Sequence, residues 1–191
     1  MNTYSREEIE KIANTILFFI ERIPELSKTK LLKLLFLAEE AFVKKHQIPF
    51  LGLEFEVWQA GPVARDIFID LSDEPFLLKE FISLDKTNQG TFIHRQKEFS
   101  DDEFNDNELN LLQLIVDKFG NKTASELVKY THRKSSNWYH VAKNKNLLDL
   151  FENGHTNSSA EKIDFLWYLD EKGKEIYLEQ NSFNGIVRSI N

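Results

Sequence analysis

Hydrophobic positions recur at helical spacing from the start of the chain. Ile9, Ile12, Ala13, Ile16, Ile20 and Ile23 make one apolar stripe, and Ser5 with Glu8 forms a capping box ahead of it. Pro24 ends that helix, and Ser27 opens a second in which Leu31, Leu34, Leu35, Ala38 and Phe42 share a face. Leu32, Phe36 and Val43 widen this second stripe, so its helix is expected to be central and covered on two sides. The period then changes. Glu54, Phe55, Glu56, Val57 and Trp58 alternate polar and apolar, which predicts a strand near 53–58. Phe55 and Val57 share one face of that strand, and Trp58 falls on the other beside Glu54 and Glu56. Gln59-Ala60-Gly61-Pro62 breaks the strand. Pro62 suits the first position of a helix whose buried face would be Val63, Ile67 and Leu71.

Residues 72–106 are the least regular part of the chain. They hold Pro75, Gly90, a short β-like segment at 91–95 and the acidic run Asp101-Asp102-Glu103, and read as a variable connector outside the core. Helix resumes at 107–119, with Leu109, Leu112, Val116 and Phe119 on one stripe and Gly120 as its stop. Thr123 and Glu126 form a second capping box, followed by Leu127 and Tyr130. A turn over 133–137 leads into a helix from Trp138 through Leu150, and 154–159 is a polar loop. The tail reads as a strand over 163–169 and then a helix capped by Asp170, or as a hairpin around Lys172-Gly173. The predicted fold class is mainly α: one helical domain over residues 1–191 with small β elements, its 150–191 part the least specified.

Composition narrows the function classes. The chain has 191 residues, 41% of them hydrophobic and 16 of them Phe, enough for an aromatic core. A net charge of −7 argues against nucleic acid as the main partner, because phosphate neutralisation needs clustered Lys and Arg. Cysteine is absent, which excludes disulfides, thiolate chemistry and Cys-ligated zinc. The apolar runs are far below membrane-spanning length and the N-terminus lacks a signal-type run, so the expected location is the cytoplasm. The seven glycines are dispersed, and no phosphate loop, nucleophile elbow or zinc-helix motif occurs. The histidines at 46, 94, 132, 140 and 155 have no ligand spacing that names a metal site. The expectation is a protein that is not an enzyme, with no catalytic residue, no metal and no cofactor.

The Gly61-Pro62 step is more informative. Glycine has no side chain to cap a helix, so the N–H groups of Val63 and Ala64 need water, an internal carboxylate or a partner's acceptor, the last assisted by Arg65. Trp58 is either the apolar half of such a contact or is covered by another helix of its own fold. The candidate partner-binding residues are therefore Trp58, Gln59, Gly61, Pro62 and Arg65, joined by His132 and Trp138. A second reading takes 107–169 as a winged helix of a prophage transcription regulator, with Lys129, His132, Arg133 and Lys134 as its basic cluster.

Three blocks of the chain resemble the Panacea domain, the SocA-like antitoxin domain. They are Lys30-Leu31-Leu32-Lys33-Leu34-Leu35-Phe36, continuing to Ala38; Phe55-Glu56-Val57-Trp58-Gln59-Ala60-Gly61-Pro62-Val63; and Thr123-Ala124-Ser125 with Leu127, Thr131-His132 and Trp138. Order and spacing agree over residues 30–138. The resemblance implies a mostly helical domain with small β elements. It also implies an antitoxin of a bacterial or phage toxin–antitoxin system, which neutralises an adjacently encoded toxin protein by direct contact. A second mode implied by the family is an adaptor that delivers the toxin to a protease. No nucleic acid and no membrane are expected as partners, and no catalytic residues carry over.

Overall fold

The computed structural model describes residues 4–190 of the chain. Ser5 Oγ accepts from the Glu8 amide while the Glu8 carboxylate accepts from the Ser5 amide, closing the start of α1 (Arg6–Arg22). Ser27 caps α2 (Lys28–His46), and every residue of 31–40 is buried. That helix is covered on more than one side, as its widened stripe predicts. Its neighbours are the hairpin at 55–64, the helices at 65–70, 106–119 and 124–131, a strand at 90–95 and the turn at 165–168.

The strand expected near 53–58 is β1 (Phe55–Trp58), but the break after it is not a helix start. Gly61 adopts φ +93°, and the chain returns as β2 (Gly61–Ala64), antiparallel to β1 with Phe55 opposite Ala64 and Trp58 opposite Gly61. Pro62 is thus a strand residue. Only then does α3 (Arg65–Asp70) begin. The same peptide pattern of a break followed by apolar positions fits a hairpin as well as a helix, and pairing with β1 decides it.

Residues 72–106 are no loose connector. They contain a second hairpin, β3 (Ile82–Thr87) with β4 (Gly90–Arg95), and Leu78, Ile82 and Ile93 belong to the core. The strand at 91–95 was legible; its partner was not. The hairpin is tied inward by the Ile93 amide donating to the Leu26 carbonyl at 3.0 Å. Asp70, buried, holds the segment before it: its carboxylate accepts from the amides of Phe76, Leu77 and Leu78 at 2.8, 2.8 and 3.2 Å.

Next comes α4 (Asp106–Phe119), capped by Asn105 and Glu108, and α5 (Ala124–Thr131), whose Thr123–Glu126 capping box forms as expected. The single helix expected from Trp138 through Leu150 is two: α6 (Asn137–Asn144) and α7 (Leu147–Glu152). Asn146, at φ 54°, separates them, a left-handed conformation that asparagine tolerates. No strand forms at 163–169. Pairing with β1 is limited to a bridge over 161–163, where the Val57 amide donates to the Glu161 carbonyl and the Ile163 amide to the Phe55 carbonyl, and Phe165–Tyr168 is a 3₁₀ turn. Asp170 does cap the last helix, α8 (Glu171–Ile190), accepting from the Gly173 amide at 2.8 Å. One core cluster runs from Ile12 to Tyr177. No helix among the described residues is long and apolar enough to cross a membrane.

The Asp70 carboxylate yields a direct test. Asp70→Ala removes the acceptor from three amides at once and should destabilise the chain by about 1–3 kcal/mol. Urea unfolding reads the loss, and hydrogen exchange should accelerate first at residues 76–78.

Candidate functional site

The signature residues converge on a lysine in the middle of α2. Lys33 is 1% exposed, and its ammonium donates to the Pro62 carbonyl at 2.7 Å. It is surrounded in sequence by Leu32, Leu34, Phe36 and Leu37, so a cation must be carried into the core wherever this helix is buried. Burial lowers its pKa to about 7. The Pro62 carbonyl is free to meet it because its ladder partner, Val57, donates its amide to Glu161 on the other side of β1.

Gly61 is where the other parts touch. A Cβ on it would lie 2.7 Å from Thr131 Oγ1, 3.1 Å from Lys33 Cε and 3.4 Å from His132 Nε2. Its positive φ and this close approach both require glycine. The His132 ring stacks on the Trp138 indole at 3.8 Å and 13°, and Trp138 Nε1 donates to the Trp58 carbonyl at 3.0 Å. Burial, and then the Lys33 charge, push the His132 pKa down to about 4, so the imidazole in this stack is neutral. Its Nε2 is buried with no hydrogen-bond partner among the described residues.

Five of the expected contact residues are therefore one packed unit. Gly61, Pro62 and Trp138 are buried, His132 is half-buried, and Trp58 is half-buried against its own fold. Trp58 packs edge-to-face on Phe68 at 4.8 Å, and its Nε1 donates to Glu56 at 3.0 Å. Of the two alternatives open for Trp58, the structure places α3 over it. The amides of Val63 and Ala64 lie in a strand, so no helix starts at Gly61-Pro62; α3 starts at Arg65 instead, and its N-cap residue, Ala64, makes no side-chain cap hydrogen bond. Gln59 is exposed but its side chain donates to the Phe151 carbonyl at 2.8 Å. Arg65 is exposed and stands apart, beyond Ala64 at the opposite end of the hairpin ladder from Gln59.

The winged-helix reading loses its wing. Among the described residues of 107–169 there is no hairpin, both hairpins preceding α4. Its basic cluster is also dispersed: His132 turns into the stack, and Arg133 donates to Glu40 at 2.7 Å.

The sequence did not single out Glu39 and Glu40 of α2, which do for other segments what Lys33 does for the hairpin. Glu39 accepts from the amides of Phe50 and Leu51, both at 2.9 Å, and burial raises its pKa to about 7. Glu40 meets Arg133, Lys44 and the Tyr168 hydroxyl. The available signal was three ionisable residues inside a stretch otherwise too apolar to face water.

Two outcomes test this unit. Gly61→Ala must strain φ and collide with Thr131, and should cost more than about 1 kcal/mol in denaturant unfolding. The second concerns pH. A histidine whose folded pKa lies below its unfolded value of 6.5 contributes fully above pH 6.5, and that contribution is lost as the pH falls toward 4. Relative to His132→Phe, which keeps a ring on Trp138 without titrating, the natural chain should lose on the order of 1–2 kcal/mol across that window, solvent screening of the half-buried ring included. Unfolding midpoints of both chains at several pH values check it.

Comparison with known proteins bears on the whole of this unit. The profile of the antitoxin SocA-like, Panacea domain family matches residues 31–139, from the first buried leucine of α2 to the residue after Trp138. Neither the curated proteins nor the solved structures compared with the chain give a match. The match covers more than half of the 191 residues and contains Lys33, the hairpin, Thr131, His132 and Trp138: the chain belongs to the antitoxin SocA-like, Panacea domain family.

Proposed function

We propose that this protein is the antitoxin of a toxin–antitoxin pair and neutralises a toxin protein by binding it directly, without catalysis of its own. The observation that carries this reading is the family match over 31–139. The geometry agrees with a binding module, since the signature residues pack into a scaffold and leave the exposed surface to do the recognition. Lys33, Gly61, Pro62 and Trp138 are turned inward, and their part is to lock the β1–β2 hairpin onto α2 and α6. Recognition then belongs to exposed side chains that this scaffold presents, Arg65 among them.

The test is co-expression with the product of the neighbouring reading frame. That product should arrest growth alone, be harmless together with this chain, and co-purify with it as a stoichiometric complex. A neighbour that is harmless alone, or that stays toxic and does not co-purify, removes the reading. An adaptor mode separates from simple binding by the toxin's half-life: a toxin that disappears in protease-competent cells and persists in protease-deficient ones is being delivered, not merely covered.

A further inference from the structure

α2, α4 and α5 leave a groove of about 560 Å³ between them. Leu111, Ile115, Phe119 and Tyr130 line its apolar part, and Leu114, 58% exposed, stands at its edge. Phe119 and Tyr130 meet edge-to-face at 4.9 Å, and the Arg133 guanidinium lies 4.2 Å over the Tyr130 ring. These are the side-chain types that anchor protein interfaces, tyrosine and arginine above an apolar floor.

The charge around the groove runs against that of the molecule. Lys44, Lys45, Lys118 and Arg133 line it together with only two carboxylates, Glu40 and Asp117, in a chain of net charge −7. Glu40 is buried and already engaged by Arg133, Lys44 and Tyr168, and Asp117 accepts from Gln113. Lys45 and Lys118, both exposed, have no carboxylate within ion-pair distance among the described residues. A second copy of the chain fits poorly, because an isologous contact would set this cationic rim against itself.

We propose that the groove docks an acidic, amphipathic helix of a partner protein, its apolar side chains between Leu111, Leu114 and Tyr130 and its carboxylates on Lys45 and Lys118. The groove's chemistry stands alone; that the helix belongs to the neutralised toxin rests on the antitoxin reading. The rim steers an acidic segment and rejects a basic one, while the aromatic and leucine floor holds it.

The experiment uses the full chain and a labelled peptide of Glu and Leu with Leu at i, i+3, i+4 and i+7, beside a counterpart with Lys for every Glu. Fluorescence anisotropy should show saturable binding of the acidic peptide and none of the basic one. Lys45→Glu/Lys118→Glu should weaken binding at least ten-fold with the thermal midpoint unchanged, whereas Lys86→Glu/Lys97→Glu, on β3 and just beyond β4, should bind as the natural chain does. Amide shifts on peptide addition should centre on Leu111, Leu114 and Ile115. Equal binding by the rim variant, preference for the basic peptide, or no saturation below millimolar peptide overturns the proposal. So does a homodimer in sedimentation that Leu114→Asp dissociates. Co-expression separates the two readings: an unprotective natural chain removes the antitoxin role and leaves the peptide result standing. A protective chain that fails the peptide assay removes the groove alone.

Discussion

The interior of this protein is organised by a helix whose middle cannot reach solvent and yet carries ionisable groups. Residues 31–40 of α2 are buried throughout, and Lys33, Glu39 and Glu40 are among them. An uncompensated buried charge costs several kcal/mol, so each of these groups must find partners that only other parts of the chain can supply. Lys33 is met by the Pro62 carbonyl, Glu39 by the amides of Phe50 and Leu51, Glu40 by Arg133 and Tyr168. Four other segments, at Phe50–Leu51, Pro62, Arg133 and Tyr168, are thereby assigned places around one helix. The leucines and phenylalanines supply most of the stabilisation, at roughly 1.5–3 kcal/mol for each fully buried side chain. The charges supply the addresses.

This accounts for why the family signature is spread over three blocks with little chemistry in any one of them. A lysine in a leucine run, a Gly-Pro step and a Thr-His pair followed by tryptophan have no common purpose along the chain. Around Lys33 they do: the glycine admits Thr131 and His132, the proline carbonyl receives the ammonium, and the tryptophan covers the histidine and grips the Trp58 carbonyl. A fixed interior of this kind leaves the outer faces free to differ, which suits a scaffold whose partner is a protein. The groove among α2, α4 and α5 is one such face, and Glu40 links it to the interior, since the Arg133 that it holds also lies over Tyr130.

Much of the fold was legible because it is local. The capping boxes at Ser5–Glu8 and Thr123–Glu126, the cap at Asp170, the β1 alternation and the central position of α2 all follow from side chains acting within a turn or a strand. The errors share a different cause. Pro62 suits a helix start by its pattern, yet a chain break followed by apolar residues looks the same before a helix and before a returning strand. Residues 72–106 read as a variable connector because β3 has only Ile82 fully buried, too little alternation to announce a strand. The split between α6 and α7 rests on one asparagine's backbone angle.

By itself the sequence determined that the protein is helical, that α2 is central and that three blocks belong to the Panacea pattern, since spacing and residue type are properties of the chain alone. Only the tertiary structure decided that Trp58 faces Phe68 and that Gly61 is a point of contact rather than a break. It also decided that an acidic molecule carries a basic-rimmed groove. Net charge sums over a chain without regard to place. Lys44 and Lys45 stand beside Lys118 and Arg133 only because α4 and α5 pack against α2, where buried Glu40 holds Arg133.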